Sequence, residues 1–441
     1  MKDLPTLCEA DVVVVGGGPA GMCAAIAAAR AGLEVTVVER WPMVGGESTM
    51  SKVTIWHTSD KTREVIFGLT RELVERLKRY DGIVRYGHFP RHHETYYFSA
   101  EWMGIVWNDL IREHKIRALC YTPCVDVLAE GRRLRGVVVG TKTGLKVIRG
   151  QMFVDATGSA DVAHFAGAPT VVGREKDGKC QGMTLVSSVC GIDPKRQDEL
   201  RKAHGTLVRE MHEARQRGEV PAFGGFQLSE GRYMDWYGTQ LCCISGDPLD
   251  PEDLTRCHME ARGKLPKFLQ FLREHAPACE KIGLRWTAPS LGIREERRAK
   301  GLYTFGADDV ETRRSFADAI GHGFWMVDIH DPEGSGHTTW VDRSIHLKPG
   351  ETYQIPYRML VTADVDNLFV AGRCASATHE GMAALRIQSH CHIMGQAAGT
   401  AAALCLTNDS RPADVDVAAL QQRLITAGVM IDQERVAAAA K

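Results

Sequence analysis

Three glycines, Gly16, Gly18 and Gly21, follow the run Val12-Val13-Val14-Val15 in G-x-G-x-x-G spacing. Each has a task in holding a diphosphate: Gly16 makes a tight turn, Gly18 lets the phosphates approach the backbone, and Gly21 lets the next helix pack closely. Glu39, 23 residues beyond Gly16, stands where a ribose-binding carboxylate is expected. Two later stretches also carry chemistry. Arg294, in "GIREERR", can grip a carboxylate or another oxyanion in a two-pronged contact, or else pair with Glu295 or Glu296. His330, in "DIHDP", is flanked by Asp328 and Asp331. A carboxylate beside an imidazole raises its basicity, which suits a general base; a buried structural histidine is the plainer alternative.

These residues need elements to hold them. The valine run reads as a parallel strand covered on both faces. "GMCAAIAAARAG" is a helix of small residues whose first amides and dipole favour a phosphate. Gly32 ends it, and "LEVTVVE" is a second buried strand that carries Glu39. "RWPMVGGEST" then adds a glycine pair, Gly45 and Gly46, which an NAD domain does not need and a longer FAD site does. "GQMFVDATGSADVAHFAGAP" gives a strand ending in Asp155-Ala156-Thr157-Gly158. "DNLFVAGRCASATHEGMAALRIQSHCHIMGQAAGTAAALC" gives a strand, Ala371-Gly372-Arg373, a loop and another small-residue helix.

Together with "GIREERRAKGLYTFGADDV", "DIHDP" and "YQIPYRML", these blocks resemble the FAD-dependent oxidoreductase family. It lies within the glutathione-reductase-type FAD superfamily and is related to the fumarate reductase and succinate dehydrogenase flavoproteins. The resemblance spans nearly the whole chain and breaks down mainly at 51–100 and 195–285. It implies an α/β fold: a Rossmann-like FAD-binding domain, with a parallel sheet, helices and a β-meander, plus an inserted α+β substrate domain. On this analogy the FAD-binding domain is discontinuous, 1–50, 100–170 and 355–410. Residues 51–99 and 171–354 form the substrate or cap domain, and 411–441 a helical tail. Within these, 62–80 and 99–114 read as amphipathic helices, and turns at Gly131 and Gly144 set the meander.

The implied cofactor is FAD, held without a covalent bond, since no histidine occupies Gly45 to Ser51. Its implied contacts are Gly16, Gly18, Pro19, Ala20, Gly21, Glu39, Arg40, Gly46, Glu47, Ser48, the backbone near Val125, Ala156, Thr157, Gly158, Gly372 and Arg373. Arg373 is a departure, because many superfamily members place an acid there to hold the ribityl hydroxyls. The implied helix at the end of the last block points its positive end at the flavin. The resemblance also makes His379 and Arg386 substrate-contacting candidates; the plainer reading is a backbone-satisfied histidine and an arginine on the flavin's polar edge. Arg358, where the chain re-enters the FAD-binding domain, and His57 complete the candidates.

Several functions are excluded. Lys and Arg (54) nearly balance Asp and Glu (55), a net charge of −1 that argues against nucleic acid as partner. The thirteen cysteines are scattered, without metal-site spacing, and read as reduced. The apolar run from Val12 to Gly32 is broken by glycines and a proline, so no membrane span is expected, and the chain reads as cytoplasmic. No second GxGxxG supplies a dedicated NAD(P)H domain, and the paired cysteines of disulfide reductases are missing. The expected activity is hydride exchange between flavin N5 and a small polar substrate, with a carboxylate among the groups it can bear. The electron acceptor is left open among O2, NAD(P) and a redox protein. A flavin monooxygenase and an electron-relay or scaffold flavoprotein are the alternatives.

Overall fold

The computed structural model describes residues 4–89, 92–221, 223, 227–230, 236–333 and 345–431. The strand Thr6–Val15 sits inside a seven-stranded sheet. Across it the order is Arg117–Leu119, Val35–Val38, Thr6–Val15, Gly144–Asp155, Arg133–Thr141 and Cys124–Glu130. Leu368–Val370 also pairs with Gly144–Asp155. That long strand serves two structures: Gly144–Arg149 pairs antiparallel within the meander, while Phe153–Asp155 runs parallel to Leu368–Val370. It thereby ties the meander to the parallel core.

The valine run separates two cores. Val12 and Val14 face one cluster, Val13 and Val15 the other, as the period of two in a strand demands. On the first face lie the helices Pro19–Arg30 and Gln388–Asn408. They touch backbone to backbone: a Cβ on Gly395 would lie 1.9 Å from Ala20 O, and one on Gly399 2.1 Å from Ala24 O.

A four-stranded antiparallel sheet, in the order Gln227–Glu230, Trp236–Ile244, Met183–Cys190, Gly283–Thr287, builds a separate unit. It packs with the helices Gln197–Gln216 and Pro251–His275 around its own core, including Leu185, Met211, Phe268 and Leu272. Ile55–His57, Ile83–Phe89 and His92–Phe98 form a smaller three-stranded sheet.

One helix is shorter than its sequence pattern. In place of 62–80 it runs Leu69–Arg79. Asp60 Oδ1 accepts from Thr62 N, Thr62 Oγ1 and Arg63 N, a polar turn that competes with helix formation. Val65 and Ile66 are buried in a loop whose N–H groups donate to Thr58 O (2.8 and 3.2 Å). The second amphipathic helix spans Ala100–Glu113, with Ser99 as its N-cap. In the tail a short turn, Pro412–Asp414, precedes the helix Val417–Thr426; residues 432–441 of the expected helical tail lie outside the described residues. So does most of the loop expected after "DIHDP", residues 334–344. No helix of the described residues is long and apolar enough to cross a membrane.

Candidate active site

At the end of the first strand the chain turns at Gly16, whose φ of +98° favours glycine and where a Cβ would lie 2.4 Å from Ala156 O. Gly21 presses on the same turn; a Cβ there would fall 1.8 Å from Gly16 O. Gly18 differs. A Cβ built on it meets nothing within 4 Å, and the residue lines a cavity partly open to solvent. Pro19, Ala20 and Gly16 line the same wall.

Glu39 closes one end. Its Oε2 accepts from Gly17 N (2.8 Å) and its Oε1 from Trp41 N (2.9 Å), so the carboxylate is fixed in place. Burial raises its pKa above the usual carboxylate value, against the two amides. Arg40 lies over the Trp41 ring at 5.3 Å, and Thr122, Pro123 and Cys124 complete this end. Val125, one residue further, is 42% exposed and does not line the cavity. The strand Cys124–Glu130 begins one residue before it, and that neighbour lines the cavity.

The middle is held by turns clasped to one another. Gly45 N donates to Gly17 O (2.6 Å), which fixes Gly46 and Glu47 against the first turn. Ser48 does not line the cavity; its Oγ donates to Gly45 O (2.7 Å) and shapes the turn. Beneath Ala156-Thr157-Gly158, Asp155 accepts from Thr157 N, Thr157 Oγ1 and Ala163 N, while burial pushes its pKa up to about 6. Gly372 and Arg373 face this region. Arg373 Nη2 lies 3.0 Å from Glu296 Oε2 and 4.0 Å from Glu47 Oε1. The guanidinium thus stands between two carboxylates, of which Glu296 is buried.

The far end is lined by Met50, Ser51, Ser290, Leu291, Ile293, Arg386, Gln388 and Cys391. Gln388 accepts from Trp56 Nε1 (2.9 Å) and donates to Val53 O (2.6 Å). It opens the helix Gln388–Asn408, whose start has no side-chain cap, leaving first-turn amides and dipole to favour negative charge. Arg386 Nη2 donates to Asp328 O (2.8 Å) and Asp328 Oδ2 (3.0 Å). Burial pushes the Asp328 carboxyl up, but His330 and the guanidiniums of Arg386 and Arg294 outweigh it and hold it well below its usual range.

Of the five catalytic candidates, Arg386 alone lines this cavity. His330 Nε2 sits 3.6 Å from Asp328 Oδ2, yet burial, reinforced by Arg294, pushes its pKa down to about 3. The basicity expected from a neighbouring carboxylate is overridden, so His330 is a neutral imidazole near pH 7. His379 also lies outside the lining. Its Nδ1 is 2.7 Å from Glu295 Oε2, in a contact too bent for a well-aligned hydrogen bond, and Glu295 in turn pairs with Arg298. Arg358 is directed elsewhere: it pairs with Asp318 (2.9 Å) and lies over the Tyr303 ring at 5.5 Å. Arg294 Nη1 donates to Gly182 O and Thr184 Oγ1 just behind the lining residue Ile293. His57 stacks on Trp325 at 4.3 Å.

Sequence reasoning missed Asp155, Asp328 and Gln388 as site-builders. Asp155 ends a strand and Gln388 starts a helix, positions that could have signalled both. Nothing local to Asp328 reveals that its partner is Arg386.

The cavity fits FAD. Open space at Gly18, a fixed carboxylate at Glu39, the additional turn at Gly46 and an uncapped helix start form one continuous lining. A dinucleotide with a flavin needs each of these in that sequence.

The sequence model of the family described as FAD dependent oxidoreductase matches residues 11–424. The 3-oxosteroid 1-dehydrogenase of Mycobacterium tuberculosis is 39% identical over 83 residues, which cover 16% of this chain and 15% of that protein. The soluble pyridine nucleotide transhydrogenase of Mycobacterium bovis is 34% identical over 89 residues, 18% of this chain and 19% of that protein. The matched stretches thus span less than a fifth of these relatives' lengths. Among solved structures, a geranylgeranyl bacteriochlorophyll reductase-like protein from Thermoplasma acidophilum covers 95% of this chain and 82% of its own. Its identity is 12% and the TM-score 0.48. Because the family match runs over most of its length, the chain belongs to the FAD dependent oxidoreductases and uses FAD as its cofactor.

Proposed function

We propose that the enzyme exchanges hydride directly between a small polar substrate and the N5 position of FAD. The reaction oxidises a C–H bond next to oxygen or nitrogen, or reduces an activated double bond. One observation carries this reading: past the cofactor-holding turns, the cavity ends on Arg386 and Gln388, two polar side chains locked by other residues. FAD supplies the two-electron chemistry. The chain's residues bind and orient. Arg386, braced by Asp328, keeps its Nε without a protein partner. Gln388 is held from both sides, and the helix it opens favours negative charge at that end. His330 is uncharged and braces Asp328 rather than delivering a proton near pH 7.

Anaerobic mixing of the holoenzyme with hydroxy acids, sugars, amines and enoates, and separately with NADH and NADPH, tests this. The expected result is stoichiometric bleaching by a metabolite, or reoxidation of the reduced enzyme by an enoate. Bleaching by NADPH alone, followed by O2 uptake and a hydroxylated product, would overturn the reading in favour of a monooxygenase. Electron release to a partner protein only would overturn it in favour of a relay.

A further inference from the structure

We propose that Arg294 recognises a carboxylate, so that the small polar substrate is an organic acid. What the site does with that acid rests on the hydride-exchange reading; the binding does not. The inference starts from how unevenly the arginines around the cavity are paired. Arg373 stands between Glu296 and Glu47, Arg386 is braced by Asp328, and Arg298 pairs with Glu295. Arg294 has no carboxylate partner among the described residues. Its hydrogen bonds run through Nη1 alone, to two neutral acceptors, Gly182 O (2.6 Å) and Thr184 Oγ1 (2.8 Å). Glu295 and Glu296, the carboxylates next in sequence, are turned toward Arg298 and Arg373 instead.

The geometry of that anchor matters. Fixing Nη1 leaves the Nε–Nη2 edge, whose two parallel N–H groups match the two oxygens of a planar carboxylate. The guanidinium is half-buried, and desolvation pulls its pKa below the usual arginine value. A cation in such a place, whose hydrogen bonds go to neutral dipoles and whose nearest carboxylates act on it only at a distance, gains from an anion that arrives with the ligand. Arg294 itself lies just behind the lining. Ile293, the residue before it, lines the cavity, and the charges of Asp328, Arg386 and Glu47 all act on it. Anchoring by the strand Met183–Cys190 also means that the cap sheet contributes to recognition.

Ligand-observed NMR on the holoenzyme tests this with acetate, glycolate and succinate, each beside its amide, and with inorganic phosphate. The acids should bind at least about tenfold more tightly than the amides, as expected for loss of a charge-assisted pair. Arg294→Gln should erase that preference at unchanged FAD content; Arg294→Lys, which keeps the charge but loses the fork, should retain part of it. Amides that bind as well as acids, phosphate that binds more tightly than every acid, or an Arg294→Gln enzyme with its acid preference intact would each overturn the proposal. Should Arg294→Gln lose FAD, the acid–amide ratio in the wild type and in Arg294→Lys decides: equal ratios overturn it. Acids that bind through Arg294 while no metabolite exchanges hydride would leave this proposal standing and the hydride reading fallen. A neutral metabolite that bleaches wild type and Arg294→Gln alike would do the reverse.

Discussion

Gly18 and Gly21 are three residues apart in one motif, yet the structure gives them separable consequences. A methyl at Gly21 collides with Gly16 O at 1.8 Å, so Gly21→Ala should unfold the turn and lower the thermal midpoint of the apoprotein. A methyl at Gly18 meets no protein atom within 4 Å, and its φ of −73° suits alanine. Gly18→Ala should therefore leave the apoprotein's melting unchanged while weakening FAD binding at least about tenfold, because the methyl occupies the diphosphate's space. Flavin fluorescence titration and differential scanning fluorimetry on the two variants separate these effects; equal melting losses would refute the distinction. At the other end, Arg386→Met should retain FAD and lower kcat/KM by about 10-fold to 100-fold, the range for losing a charged hydrogen bond to a reacting ligand. Steady-state kinetics on whichever substrate bleaches the flavin checks it.

The helix Gln388–Asn408 is the element on which the most depends, since it starts at the cavity and runs buried beneath Pro19–Arg30. Gly399→Ala would put a Cβ 2.1 Å from Ala24 O. It should cost about 1–3 kcal/mol in denaturant unfolding, the usual penalty of overpacking. The same helix carries His390 and His392, whose pKa values burial pushes down to about 3. A histidine held below its ordinary 6.5 contributes stability that is complete above pH 6.5 and lost as pH falls toward 3. Acid should destabilise the protein across that window, and His392→Phe should flatten the acid limb of a melting-versus-pH curve. At neutral pH that variant should cost about 1 kcal/mol for the lost Thr70 contact. Only packing shows both histidines wholly inside, His390 at 0% and His392 at 1% exposure.

At the scale of the molecule, the cavity is lined from residues 15–20, 38–51, 122–124, 156–161, 290–293 and 371–391, which FAD bound there would bridge. No single segment forms the site, so cofactor binding must stabilise the assembly of all of them. Free FAD at 100 times its dissociation constant should add about 2.7 kcal/mol to unfolding free energy. The apoprotein should melt earlier and be cut more readily by protease; identical melting of apo and holo forms would count against a shared site. The four-stranded sheet has a separate core, and it meets the cavity through Ser290, Leu291 and Ile293 just beyond its last strand.

The cofactor half of the protein was written in the chain because its chemistry is done by backbone. A diphosphate cradle requires glycines at fixed offsets, a strand before them and an acid after the second strand, and each requirement is local. The reactive end obeys no such spacing. His379, Arg358 and His330 looked equivalent to Arg386 as a string of residues, but folding sent them to Glu295, to Asp318 and into a buried contact with Asp328. Asp328 and Arg386 meet across 58 residues, and Arg294 is fixed by a strand more than a hundred residues earlier. Pairing and desolvation, which decide what a charged side chain can do, depend on those distant partners, and only the tertiary structure supplies them.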